Sequence, residues 1–161
     1  MYQLSQQELA TIQEEITQRS GGSPLSHNTF ISVTGIRVYP YIGNRLVFID
    51  PEDENFVIKY QIEQDSDRRD NELEYKICRE LFQRRLAPRF DIAYAYQLSE
   101  DYHYLKMERA LGLRDRDQVT YPDWLVDKKP HNLGLIDNRV VVVDYGNIVV
   151  ADYLELTFRL D

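Results

Sequence analysis

Three stretches of this sequence carry side chains whose types and spacing suit chemistry. Asp127-Lys128-Lys129-Pro130-His131-Asn132 sets an aspartate five residues before an asparagine, with Lys-Pro between them. Twelve residues further on comes Asp144-Tyr145-Gly146. Carboxylate and amide oxygens are hard donors that suit a hard divalent cation. The third stretch, Phe56-Val57-Ile58-Lys59, is an apolar strand pattern ending in a lysine. Taken alone, each segment also has an ordinary reading: Asp144 as a turn residue before a glycine, Asn132 as a cap or loop residue, Lys59 as an exposed strand lysine.

Local pattern then suggests how these residues are held. Residues 133–136 and 139–143 read as two strands around Asp137-Asn138, a good two-residue turn, and this hairpin brings Asn132 and Asp144 to one edge of a sheet. Strand texture covers 30–33, 36–41, 45–49 and 56–60, and returns over 92–96 and 102–107. Strict alternation puts Lys59 on the face of Val57, opposite Phe56 and Ile58. A helix is expected over 71–85, with Leu73, Ile77 and Leu81 on one face and Cys78 and Phe82 beside it. Asn71 and Glu74 have the spacing of a capping box for it. An earlier helix opens on the capping box Ser5–Glu8, shows Leu9, Ile12 and Ile16 on one face, and stops at Gly21-Gly22-Ser23-Pro24. Pro122-Asp123-Trp124-Leu125 is read as the start of a short helix, and 148–160 as an apolar tail without clear period. The expected class is α+β, a mainly antiparallel sheet with one helix packed on it.

Residues 33–146 resemble the protein kinase superfamily, in a minimal and truncated form. Asp127 to Asn132 is similar to the family's catalytic loop, Asp144-Tyr145-Gly146 to its metal-binding Asp-Phe-Gly segment, and Phe56 to Lys59 to the strand that supplies the phosphate-binding lysine. The resemblance implies that Lys59 positions the phosphates of ATP and that Glu74 positions Lys59, with Glu80 as the fallback partner. It further implies that Asn132 and Asp144 hold magnesium, with manganese as an alternative ion. Asp127 would orient or deprotonate an acceptor hydroxyl, and Lys129 would neutralise charge on the transferred group. The backbone from Glu108 to Ala110 would meet an adenine edge, with Met107 guarding the pocket.

By the same resemblance the chain is one kinase-like domain: residues 1–24 an N-terminal helix and linker, 29–110 an N-lobe-like unit, and 111–161 a strongly reduced C-lobe holding the catalytic loop and metal-site hairpin. The departures from the family are concrete. Thr34-Gly35-Ile36-Arg37-Val38 offers one glycine where the glycine-rich loop has three, and Leu125-Val126 stands where His-Arg precedes the catalytic aspartate. Nothing after Gly146 matches an activation segment or a peptide-binding platform. Two functions follow as expectations. One is a phosphotransferase acting on a hydroxyl; the other is an inactive pseudokinase serving as an interaction or decoy module, completed by a protein partner or a second copy. A small-molecule phosphotransferase of the aminoglycoside or choline kinase type shares the catalytic loop and meets the same objection of length.

Composition narrows the classes. With a net charge of −8, the chain does not attract a phosphate backbone, so nucleic acid is not an expected partner. One cysteine, Cys78, excludes an intrachain disulfide and a cysteine metal cluster. No apolar run approaches the ~18 residues of a membrane span and no leader pattern opens the sequence, so a cytoplasmic location and no membrane partner are expected.

Overall fold

The computed structural model describes residues 1–19, 30–40, 43–62, 69–113 and 119–146. The linker at 21–24 and the apolar tail at 148–160 lie outside the described residues. The fold is α+β, with two helices and nine strands among the described residues. The strands β1 (Ile31–Val33), β2 (Ile36–Val38), β3 (Arg45–Ile49), β4 (Phe56–Gln61), β5 (Ala95–Leu98) and β6 (Tyr104–Glu108) form one antiparallel sheet in the order β1-β2-β3-β4-β6-β5. A second antiparallel sheet, β7-β8-β9, joins Leu111–Gly112, Leu133–Ile136 and Arg139–Val142.

Helix α1 (Gln6–Arg19) starts on a capping box. The Ser5 amide donates to Glu8 at 2.7 Å and the Glu8 amide donates to the Ser5 hydroxyl at 3.2 Å, so two otherwise unpaired donors are satisfied. Its Leu9, Ile12 and Ile16 pack on Val38, Leu46, Phe48 and Ile58. Helix α2 (Asp70–Gln83) sets Ile77, Cys78 and Leu81 against Leu105, Met107 and Ala95. Because successive strand residues face opposite ways, Ile58 belongs to the α1 side while Val57 and Lys59 belong to the α2 side. The sheet is therefore covered on both faces, which corrects the expectation of a single packed helix.

Other expectations shift locally. The capping box at Asn71 and Glu74 does not form: α2 opens after Arg69 without a side-chain cap, and Asn71 is drawn to the sheet instead. Residues 122–125 make a turn, with the Leu125 amide on the Pro122 carbonyl at 3.1 Å, and not a helix. The strand expected over 92–96 begins at Ala95. Ile92 instead bridges in parallel to Val142, with the Ala93 amide on the Val142 carbonyl (2.9 Å) and the Val142 amide on the Asp91 carbonyl (2.7 Å). That short bridge ties the second sheet to the first.

The β8–β9 hairpin follows the expected turn. Asp137 and Asn138 have φ of 50° and 63°, the pair of left-handed residues that a type I′ turn requires. Gly134 in β8 is demanded by closeness: a Cβ there would lie 2.5 Å from the Ala110 Cβ. The docking of α1 is checked by Ile12→Ala, which removes a fully buried side chain from the α1 side. Chemical denaturation should show a loss of about 2–5 kcal/mol. A loss under about 0.5 kcal/mol, the range of an exposed site, would contradict that packing.

Candidate functional site

A cleft of about 400 Å³ is lined by residues of both sheets. Its walls include Lys59, Met107, Glu108, Ala110, Asp127, Lys129, Asn132 and Asp144, each given a role from sequence. Glu74 lies directly behind Lys59. The Glu74 carboxylate is fully buried and 2.8 Å from the Lys59 ammonium. Local structure explains the meeting. The Asn71 amide donates to the carbonyls of Lys59 (3.1 Å) and His103 (2.8 Å), fixing the first turn of α2 on the sheet. One turn further along, Glu74 faces β4. Glu80 plays no part here, being paired with Arg84 at the surface.

Sequence reasoning missed Arg45. On the β3–β4 ladder it stands opposite Gln61, with Val47 opposite Lys59, so Arg45 shares the cleft-side face. Its guanidinium reaches Glu74 at 3.0 and 3.1 Å and Asp144 at 2.7 Å, and Asn71 at 3.4 Å. The Lys59 ammonium also donates to the Val143 carbonyl. β3, β4, α2 and the residues after β9 are thus closed into one ring of charge. The signal was a charged residue opening a strand whose alternate positions, Leu46 and Phe48, are apolar.

Burial and neighbours set the ionisation of this ring. Burial pushes the Lys59 ammonium down and Arg45 adds to that, against the pull of Glu74. Burial pushes the Glu74 carboxyl up, although Arg45 and Lys59 oppose it. At Asp144 burial acts upward too, but Arg45 and Lys59 outweigh it and hold the carboxyl well below the usual range.

The loop from Asp127 to Asn132 folds back on itself. The Lys129 amide bonds the Asp127 carbonyl at 2.9 Å, and the buried Asn132 side chain donates to the same carbonyl at 2.8 Å. The Asn132 amide nitrogen being so engaged, its oxygen is the atom left to accept or ligate. The Val143 amide on the Asn132 carbonyl (2.9 Å) links this loop to the Asp144 segment. Asp127 and Lys129 form an exposed ion pair at 2.9 Å. Asp144 and Asn132 thus bring one carboxylate and one amide oxygen to the cleft lining, donors of the hard type that divalent cations take. Among the described residues there is no group of three or more His, Cys, Asp or Glu that could hold a metal ion.

Tyr145 is turned away from the cleft into the core, with its hydroxyl donating to the Ala93 carbonyl at 2.9 Å. Burial, with Cys78 and Glu74 nearby, pushes that hydroxyl well above its ordinary value. Thr34 and Gly35, expected to be the remnant of a glycine-rich loop, are the sharp turn between β1 and β2, with Gly35 at φ 82°. They do not line the cleft; Tyr39, Gly43 and Asn44, from the β2–β3 connection, do. Arg37 pairs with Glu54 at 3.1 Å and lines none of it. At the other end, the Glu108 amide bonds the Tyr94 carbonyl and the Arg109 amide the Asn55 carbonyl, each at 2.9 Å, fixing the edge where β6 ends.

No family model, curated protein or solved structure matches the chain. No helix among the described residues is long and apolar enough to cross a membrane.

Two outcomes test the site's construction. Because Asp144 has a lower pKa folded than unfolded, its contribution to stability is complete above about pH 4 and disappears as the pH falls through the lowered folded value. The melting temperature should therefore fall more steeply for the native chain than for Asp144→Asn between roughly pH 4 and pH 2. Parallel curves would show that Arg45 does not stabilise the carboxylate. Gly146→Ala places a Cβ 3.1 Å from the Glu74 Cγ and 3.3 Å from the Asp70 carbonyl. Since Glu74 is tied by two cations and cannot give way, denaturation should show a loss of about 1 kcal/mol or more. A gain, as at a roomy glycine site, would contradict the close approach.

Proposed function

We propose that the chain is a minimal protein kinase-like phosphotransferase that binds ATP with magnesium and transfers the γ-phosphoryl group to a hydroxyl acceptor. The observation that carries this reading is the buried Lys59–Glu74 pair, 2.8 Å apart, at the back of a cleft that also gathers Asp127, Lys129, Asn132 and Asp144. A lysine held by a helix glutamate, an aspartate and asparagine for the metal, and a further aspartate for the acceptor are what phosphoryl transfer in protein kinases requires. The cleft volume is in the range of small-molecule sites.

In this reading Val57 and Met107 wall the base, whose edge meets the backbone between Glu108 and Ala110. Lys59, unable to move while Glu74 and the Val143 carbonyl hold it, presents a fixed positive charge to the phosphates. Asn132 and Asp144 hold the magnesium ion, which when bound neutralises the phosphate oxygens. Asp127 orients the acceptor hydroxyl and accepts its proton. Lys129, at 2.9 Å from Asp127 in the free protein, offsets charge on the transferred group.

A second reading has its own observation. Arg45 sits 2.7 Å from Asp144, on the carboxylate that would take the metal. That favours an inactive pseudokinase, a nucleotide-shaped module that presents a surface to a protein partner or a second copy.

Purified protein with labelled ATP and magnesium separates the two, beside Lys59→Ala and Asp144→Ala. The enzyme reading expects phosphate on the chain itself or on a generic protein acceptor, reduced at least about 100-fold in both variants. A rise in melting temperature with ATP and magnesium but no transfer supports the module. Neither transfer nor stabilisation overturns nucleotide binding altogether.

A further inference from the structure

We propose that Arg45 is a built-in cation that does part of a divalent ion's work, so that the cleft holds a polyphosphate chain without metal. The inference rests on the nucleotide reading above and deepens it by assigning a residue to the phosphate subsite.

Arg45 is only 9% exposed at its side chain, yet it lines the cleft beside Lys59. Two cations, from the adjacent strands β3 and β4, converge on a single buried carboxylate, Glu74. One of them would suffice to neutralise it. The second guanidinium contact goes to Asp144, whose side chain is 45% exposed. A bare aspartate at that position repels phosphate, and in a site that relies on metal alone the ion must cancel that charge before phosphate can approach. Here the cancellation is already present. Within this ring Lys59 and Arg45 balance Glu74 and Asp144 with no ion bound, while Asp70 and Asp127 also line the cleft. The guanidinium, its terminal donors engaged by Glu74, Asn71 and Asp144, acts on phosphate as a permanent charge. Arg45 takes Oδ1 of Asp144, the carboxylate that would hold a metal. An ion bound there sits close to a fixed positive charge and is held less tightly for it.

Arg45 therefore shifts the balance of the site. It strengthens phosphate binding in the absence of metal and adds little once metal is bound. A purely structural strut would act equally in both conditions, and that difference is measurable.

The experiment is calorimetric titration of the full chain with ATP and, separately, with inorganic tripolyphosphate. Each is run in EDTA and in saturating magnesium, for the native protein, Arg45→Gln and Arg45→Lys. The native protein should bind in EDTA within about tenfold of its affinity with magnesium. Arg45→Gln should lose about tenfold or more in EDTA and less than about threefold with magnesium, and Arg45→Lys should restore most of the EDTA binding. Native binding in EDTA more than about tenfold weaker than with magnesium overturns the proposal, as does an equal loss in both conditions for Arg45→Gln. If Arg45→Gln does not fold, the native ratio and the Arg45→Lys titration decide. ATP binding that needs magnesium defeats the role of Arg45 and leaves the nucleotide reading standing. Tripolyphosphate binding in EDTA without ATP binding keeps Arg45 and defeats the nucleotide reading. No binding of either ligand defeats both.

Discussion

The structure turns on the carboxylate of Glu74. Removing an ionised carboxylate from water costs several kcal/mol, which only close counter-charges and hydrogen bonds offset. Glu74 is fully buried, and its two oxygens are met by Lys59 and Arg45. Those cations stand on neighbouring strands, so the β3–β4 register is fixed by the requirement that both reach one acid. Arg45 and Lys59 then extend the constraint to Asp144 and to the Val143 carbonyl. Position of helix, pairing of strands and placement of the Asp144 segment are thus one problem with one solution.

Backbone bonds hold the second sheet where this ring needs it. The bridge between Ile92 and Val142, and the Val143 amide on the Asn132 carbonyl, set the exit of β9 beside the loop from Asp127 to Asn132. From that sheet Leu133, Val141 and Val142 complete the core on the α2 side, together with Leu125. The cleft lies along the seam, so the residues that line it come from two sheets sharing one core.

Much of this was legible in the sequence where periodicity or turn chemistry dominates. The Ser5–Glu8 box, the apolar stripes of both helices, the Asp137-Asn138 turn and the face of Lys59 all follow from local rules. The α1 docking was not legible, because a stripe shows that a face is buried and not what covers it. Asn71 was misread as a cap. Its spacing to Glu74 satisfied the helix rule, but the carbonyls of Lys59 and His103 offered its amide stronger use and Lys59 offered Glu74 a charge. Arg45 escaped notice because a lone arginine at a strand's start reads as solvated, and its three partners, Asn71 and Glu74 on α2 and Asp144 after β9, are all distant from it in sequence. Thr34-Gly35, which the sequence already set apart from a glycine-rich loop by its single glycine, is the turn between β1 and β2.

The Tyr145 hydroxyl gives the Asp144 segment a property that an unsubstituted phenyl ring would not. Swinging the ring out of the core would leave the Ala93 carbonyl, in a fully buried residue, without the donor it now has at 2.9 Å. An unmatched buried acceptor costs about 1–3 kcal/mol, which lowers the population of such a state by roughly five- to 150-fold. Ala93 is also the residue whose amide joins the two sheets. The ring is thus latched to the junction between the sheets.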